Sequence, residues 1–297
     1  MNERIYVPLP ERGFVTVGGA DRVDFLQGLV SNDMRRVAPD RVVWTALLTP
    51  QGKYLHDFFV ADIGGVWHLD CEAERLMDLG RLLSRYKLRA AVDLGIGQAL
   101  AAFALPGADA LAALGLPAEP GAAAPFGGGL AYVDPRHAAL GARAILPAAG
   151  AADALSAAGF REGPREAWDR LRLSLGVPDG SRDLTVEKSI LLESNFDELH
   201  GVDWQKGCYM GQELTARTKY RGLVKKRLVP VAIEGEAPAP GTPLTIAGRD
   251  AGEMRSAAGG IGLALLRLDA LAEAETGATL EAGGARLLPS KPAWASF

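Results

Sequence analysis

Lys206-Gly207-Cys208-Tyr209-Met210-Gly211-Gln212-Glu213 is the stretch on which the reading of this chain turns. It holds one of only two cysteines in 297 residues. Tyr209 to Thr218 contains no proline and places Gln212, Glu213 and Arg217 at helical spacings, so a helix is expected directly after the thiol. A cysteine at a helix entrance meets unpaired backbone N–H groups and the positive end of the dipole, and both favour thiolate. Lys206, just upstream, adds positive charge. The segment therefore reads as a holder of a reactive or ligating sulfur. The ordinary free cysteine is a small buried hydrophobe. Cys71, which closes the alternating pattern Val66-Trp67-His68-Leu69-Asp70, fits that description.

Upstream of the motif, residues 13–95 read as mixed strand and helix. Asp21 to Val30 is a short amphipathic helix with Asp21 as N-cap. Val42–Leu48 and Tyr54–Asp62 flank the turn residues Pro50-Gln51-Gly52-Lys53 and form a hairpin. Glu72 to Lys87 carries a helical stripe. Residues 99–163 are rich in alanine and glycine, and Pro117–Gly129 has so little to bury that it reads as a mobile loop. Asp153 to Ala158 is helical, and a helix around Trp168, Leu171 and Leu175 is ended by Gly176 and Pro178. From Val224 onward, short strand-like pieces alternate with glycine turns, the texture of a small β-barrel. The fold class is α+β: two mixed α/β subdomains, residues 1–98 and 99–223, followed by a β-barrel at 224–297.

The composition is that of an ordinary globular chain, with 48% hydrophobic and 23% charged residues. A net charge of −4 offers no global field to nucleic acid or anionic membrane. Two cysteines make no disulfide framework, and His56, His68, His137 and His200 show no metal-ligand spacing. The opening residues Met1 to Ile5 carry no signal pattern, and no apolar run would span a bilayer. These points lead to the expectation of a bacterial cytoplasmic protein without membrane contact. From Lys206 to Arg227 there are seven basic residues (Lys206, Arg217, Lys219, Arg221, Lys225, Lys226, Arg227) against one acid, Glu213. That patch suits a polyanionic ligand, an acidic partner or an RNA backbone, or is simply solvated. Tyr220 is the one aromatic interleaved after the motif helix, which argues against direct nucleic-acid binding.

The motif resembles the Lys-Gly-Cys-Tyr-x-Gly-Gln-Glu signature of the YgfZ-type, folate-binding, aminomethyltransferase-like family, which includes the mitochondrial iron–sulfur assembly factors. Phe25-Leu26-Gln27-Gly28-Leu29, Ser31-Asn32-Asp33, Gly176-Val177-Pro178 and Leu192-Glu193-Ser194-Asn195 also match that family. The resemblance implies two α+β subdomains around a central cleft and a barrel beside them. It implies a bound tetrahydrofolate or one-carbon derivative. It also implies a role in assembling or repairing iron–sulfur clusters with assembly proteins and client apo-enzymes, tRNA-modifying radical enzymes among them.

On that resemblance Cys208 is the reactive thiol or a transient ligand of a shared cluster, with Lys206 and Glu213 beside it. Asp57 is carried over with least weight, since a solvated strand-edge acid explains it as well. Folate contacts would come from Gly207, Tyr209, Gly211, Gln212, Arg217, Asn32, Asp33 and Glu193. The alternative is a folate-dependent aminomethyltransferase or demethylase. The true transferases carry Arg-Leu-Glu-x-Gly where this chain has Arg172-Leu173-Ser174-Leu175-Gly176, and serine cannot reproduce a bidentate carboxylate contact.

Overall fold

After β1 (Ile5–Pro8), the chain forms β2 (Arg12–Gly18), α1 (Arg22–Gln27), β3 (Val43–Leu48), β4 (Tyr54–Ile63), β5 (Val66–Glu72), α2 (Leu76–Lys87) and β6 (Asp93–Ile96) in the computed structural model, which describes residues 4–297. Met1, Asn2 and Glu3 of the sequence reading lie outside the described residues. Five strands stand in the order β3-β4-β5-β2-β6. Their apolar side chains meet those of α1 and α2 in a core that includes Leu26, Met34, Phe58, Trp67, Leu79 and Leu83. Each such side chain contributes about 1.5–3 kcal/mol by leaving water. Cys71 belongs to this core, and burial pushes its thiol up to about 12, which fits the inert packing role.

Two local expectations are corrected here. Asp21 occupies the N-cap position of α1 but does not cap it; its carboxylate accepts the Ala91 amide at 2.7 Å instead. α2 starts at Leu76 rather than Glu72, because Ala73–Arg75 first forms a 3-10 turn.

The chain continues through β7 (Leu100–Pro106), α3 (Ala108–Ala113), β8 (Ala123–Phe126), β9 (Gly129–Val133), β10 (Gly141–Pro147), α4 (Ala151–Ala157) and β11 (Arg161–Glu162). A second sheet results, ordered β11-β1-β7-β10-β9-β8. The stretch 117–129, expected as a mobile loop, is instead mostly a hairpin arm. β8 pairs with β9, the Val42 amide donates to Gly121 O at 2.8 Å, and the Ala123 amide donates to Asp40 O at 2.8 Å. Backbone ladders need no apolar side chains, so composition was a poor guide.

A buried polar cluster joins the two sheets. Asp70 on β5 accepts from Arg12 Nε at 2.6 Å and from Arg143 Nη2 on β10 at 3.1 Å. Arg143 also donates to the Tyr132 hydroxyl on β9 at 3.1 Å. The guanidinium groups of Arg12, Arg136 and Arg143 surround the Phe59 ring at 5.7, 5.0 and 4.4 Å. Burial opposes the Asp70 charge, but the two arginines outweigh it and hold the carboxyl below its usual range.

The remaining elements are α5 (Arg165–Ser174), α6 (Gln212–Tyr220), β12 (Lys226–Glu234), β13 (Pro243–Ile246), β14 (Arg249–Ala258), β15 (Ile261–Arg267), α7 (Leu268–Glu275), β16 (Leu280–Ala282) and β17 (Ala285–Pro289). The last six strands close into a barrel, β12-β15-β14-β13-β16-β17, with β17 returning to β12. Val229, Leu244, Met254, Leu266 and Leu287 fill it. Closure removes free edges. Arg172 of α5 is fully buried and bonded to Asp169 at 2.9 Å, Asp183 at 2.7 Å and Ser256 of β14 at 2.9 Å. Gly176 ends α5 region at φ +71, as the sequence indicated. The architecture is the expected one of two sheet-bearing α/β subdomains and a closed barrel. By contact density the chain forms two interleaved units, one of residues up to 48, 55–165 and 200–210, the other of 49–54, 166–199 and 211–297. Among the described residues no helix is long and apolar enough to cross a membrane.

Candidate functional site

Cys208 is exposed on a loop of the first unit, between a buried Lys206 and a buried Tyr209. The loop is held from both sides of the thiol. Upstream, Lys206 Nζ donates to the carbonyls of Gln27 and Asn32, both at 2.8 Å, and to that of Val30. α1 ends at Gln27, so that residue's carbonyl lacks a helical partner, and the ammonium group satisfies it together with the carbonyls of Val30 and Asn32 in the segment that follows. The Gln27 side chain returns the contact: Nε2 donates to Lys206 O at 3.2 Å while Oε1 accepts the Met34 amide at 2.7 Å. Downstream, the Met210 amide donates to Gly28 O at 3.0 Å. The Tyr209 ring lies 5.2 Å from the Lys206 ammonium. Gly207, at φ +94, supplies the left-handed turn that brings the chain from the buried lysine to the exposed thiol.

This geometry corrects two expectations. The helix after the motif begins at Gln212 rather than Tyr209, with Gly211 in the left-handed conformation at its N-cap. Cys208 therefore does not sit at the helix entrance, and dipole effects fade beyond the first turn. Lys206 directs its charge at three carbonyls and acts as an anchor. Burial draws its pKa down to about 8, against the pull of Asp33 and Asp203. The sulfur is presented by exposure on a fixed loop.

The other expected residues of this unit form a connected path behind the loop. Asn32 is buried, and its amide donates to Trp44 O at 2.7 Å and His200 O at 2.6 Å while its oxygen accepts the Asp33 amide at 2.9 Å. Asp33 caps the short turn Met34–Arg36 by accepting the Arg35 amide at 3.0 Å. Asp57, on β4, is buried rather than solvated, and accepts from Trp44 Nε1 at 2.9 Å. Asp57, Trp44, Asn32 and Lys206 are thus linked by successive hydrogen bonds. Gln27 was quoted from the sequence only as part of a matching stretch, and its bridging role was missed; a further signal was an amide on the buried side of a short amphipathic helix.

Gly211, Gln212, Glu213, Arg217 and Glu193 belong to the second unit. Glu213 and Arg217 form an exposed pair on α6 at 3.4 Å, worth a few tenths of a kcal/mol. The turn at Gly52 (φ +82) packs on the start of this helix: a Cβ there would stand 2.7 Å from Gly211 O and 2.6 Å from Leu214 Cβ. Glu193 is half-buried and has no hydrogen bond among the described residues. Burial raises its pKa, with Lys226, Lys53, Arg227 and Arg255 opposing. Of the seven basic residues counted from sequence, two are buried. Lys206 is the anchor already described, and Arg227 donates to Leu192 O at 2.6 Å and to Asp197 at 2.7 Å. The exposed patch is therefore smaller than expected, with Arg217, Lys219, Arg221 and Lys225 in it. Among the described residues no group of three His, Cys, Asp or Glu is placed to hold a metal ion. Cys208 offers one soft ligand and no more.

Residues 225–297 match the family model described as CAF17, C-terminal beta-barrel domain. The chain is 32% identical over 290 residues to the mitochondrial iron–sulfur cluster assembly factor IBA57 of Mus musculus, covering 89% of this chain and 77% of that protein. For the Homo sapiens counterpart the figures are 33%, 87% and 76%. A homologue from Mycosarcoma maydis is 34% identical over 75% of this chain, which spans 56% of that protein's length. The glycine cleavage system aminomethyltransferase T of Bartonella henselae superposes with a TM-score of 0.77 over 99% of this chain and 86% of that chain, at 16% identity, a likeness of fold. The wider aminomethyltransferase-like fold and the iron–sulfur assembly branch are supported; a narrower YgfZ-type assignment is not. The expectation of a bacterial cytoplasmic protein is corrected by the same names, since these relatives are mitochondrial proteins of eukaryotes. That expectation rested on cysteine usage, the N-terminal residues and the lack of a spanning apolar run, none of which says where relatives work.

Proposed function

Since the chain belongs to the iron–sulfur cluster assembly factor IBA57 family, we propose that it serves in the assembly or repair of iron–sulfur clusters through the thiol of Cys208. One observation carries the reading: the single exposed cysteine stands on a loop fixed on both sides, by Lys206 and by Met210. A sulfur so held meets an incoming iron site with little ordering cost. The cluster is cargo. Cys208 loses its proton on binding iron and supplies one thiolate. An ordinary cluster takes four, so the others come from an assembly partner or a client apo-enzyme, tRNA-modifying radical enzymes included.

A reduced folate stays in the proposal on narrower ground. Asn32 has both amide hydrogens engaged and Asp33 caps its own turn, so these residues serve the loop. Glu193, a half-buried carboxylate without a hydrogen-bond partner among the described residues, suits the paired N–H groups of a pterin edge. A tetrahydrofolate held there would supply a carrier for a one-carbon unit. The exposed Ser174 hydroxyl donates to Leu171 O at 2.8 Å and offers no such contact, which weighs against aminomethyl transfer.

The test is a rescue. The gene is deleted in its host, and [4Fe–4S] enzyme activities under oxidative stress are compared after wild-type or Cys208→Ala copies are restored. The proposal expects activity to fall on deletion and to return with wild type alone. Undisturbed cluster enzymes after deletion would refute the function; equal rescue by both copies would refute the role of the thiol.

A further inference from the structure

A groove of about 330 Å³ lies in the first unit, away from Cys208 in sequence, between α2 and β6. One wall is a helix face: Leu76, Gly80 and Ser84 in one row, with Met77 and Arg81 beside it. The other wall is β6, from Leu94 to Ile96. Met77 and Ile96 are 54% and 49% exposed, unusual for large apolar residues facing one another across a depression. The volume is at the bottom of the range of roughly 300–1,000 Å³ typical of small-molecule pockets, and suits a few side chains better than a cofactor.

β6 is the edge of its sheet and pairs only with β2 among the described residues. The Gly97 amide donates to Phe14 O at 2.8 Å, which fixes the alternation of the antiparallel ladder. Gly95 and Asp93 then face β2, and the N–H and C=O groups of Leu94 and Ile96 point outward. An open edge of this kind is a template for another strand unless it is covered. The guanidinium of Arg81, at the groove, is exposed and has neither hydrogen bond nor ion pair among the described residues, and the same holds for that of Arg85 one turn further on. The groove therefore combines unpaired backbone groups, an apolar trough and a cation without a counter-ion.

We propose that the groove between α2 and β6 receives an extended, acidic segment of a partner protein, which adds to β6 as a further strand. Its backbone pairs with Leu94 and Ile96, alternate aliphatic side chains enter the trough beside Met77 and Gly80, and a carboxylate meets Arg81. This is strand addition at a sheet edge, with main-chain bonds giving affinity and the trough giving selectivity. A second copy of this chain would bring Arg81 against Arg81 in a symmetric pairing, so the unpaired charge favours an acidic partner.

Three variants probe separate parts of the groove without touching the core. A Cβ at Gly80 meets nothing within 4 Å, so Gly80→Leu fills the trough. Ile96→Pro removes an outward N–H, a position where an edge strand tolerates proline. Arg81→Glu reverses the charge. The full chain is panned against a displayed library of random dodecapeptides, and the most enriched peptide is synthesised and titrated, with near-ultraviolet circular dichroism confirming that each variant is folded. Enriched peptides that alternate aliphatic residues with at least one acid, that slow amide exchange at Leu94 and Ile96, and that lose tenfold or more in affinity with each variant would support the proposal. No enrichment over the Gly80→Leu chain would overturn it. Binding indifferent to Arg81→Glu would overturn it as well. So would protection of Leu94 and Ile96 that grows with protein concentration alone, which would assign the edge to a second copy.

Discussion

Lys206 and Cys208 are near neighbours with opposite surroundings, and they should respond differently to substitution. Cys208 is exposed, so Cys208→Ala should leave stability within about 0.5 kcal/mol while abolishing rescue. Lys206→Met leaves three buried carbonyls without a donor and should cost about 3 kcal/mol in urea unfolding. His56 on β4 makes a pH prediction. It is buried, with Nε2 at 3.0 Å from Asp78, and burial with Arg75 pushes its pKa down to about 4 against the pull of Asp78. The unfolded imidazole titrates near 6.5, so between pH 6.5 and 4 the unfolded chain binds the proton and the folded chain resists it. Stability is full above pH 6.5 and falls as pH drops through that window, by up to about 3 kcal/mol. Urea midpoints at pH 7, 5.5 and 4.5 should show this slope, and His56→Gln should flatten it.

At the scale of elements, two glycines of the site region separate strain from crowding. Gly207 has φ +94 with open space around a built Cβ, so Gly207→Ala should cost about 1 kcal/mol from backbone strain alone. Gly52 has φ +82 and would drive a Cβ into Gly211 O and Leu214, so Gly52→Ala should cost clearly more, about 3 kcal/mol, and shift the exchange rates of the first turn of α6. Thermal melts of the two variants side by side would test the ranking. Most elements were legible because their period was: the stripe of α2, the alternation of β5 and the glycine stop after α5 are local facts. The start of α6 was not, since Gly211 in the left-handed region delays it and no local rule required that. The arm 123–126 was missed because its pairing is a backbone matter between residues whose side chains say little.

On the scale of the whole molecule, the legible part of the candidate site was its proposed thiol and the illegible part was the support of the loop that carries it. Cys208 is marked by rarity and by the motif around it. The acceptors of Lys206 lie in residues 27–32, and nothing in local sequence announces contacts that distant. The same holds for Asp70, whose cluster unites residues of both sheets. Asp70→Asn leaves Arg12 and Arg143 buried with a neutral partner and should cost 3–5 kcal/mol, the usual scale of breaking a buried pair. Amide exchange should then accelerate in both sheets together. Acceleration confined to β5 would show that the cluster does not couple them.

The anchoring of Lys206 also bears on how the eight residues from Lys206 to Glu213 can be studied. Cut out as a synthetic peptide, or grafted onto a foreign scaffold, they would keep the thiol and lose its mounting, because the docking points of the lysine are carbonyls supplied by the exit of α1. The smallest portable version of this site is two segments of chain, and a mimic built from one of them would report on cysteine chemistry in general rather than on this protein.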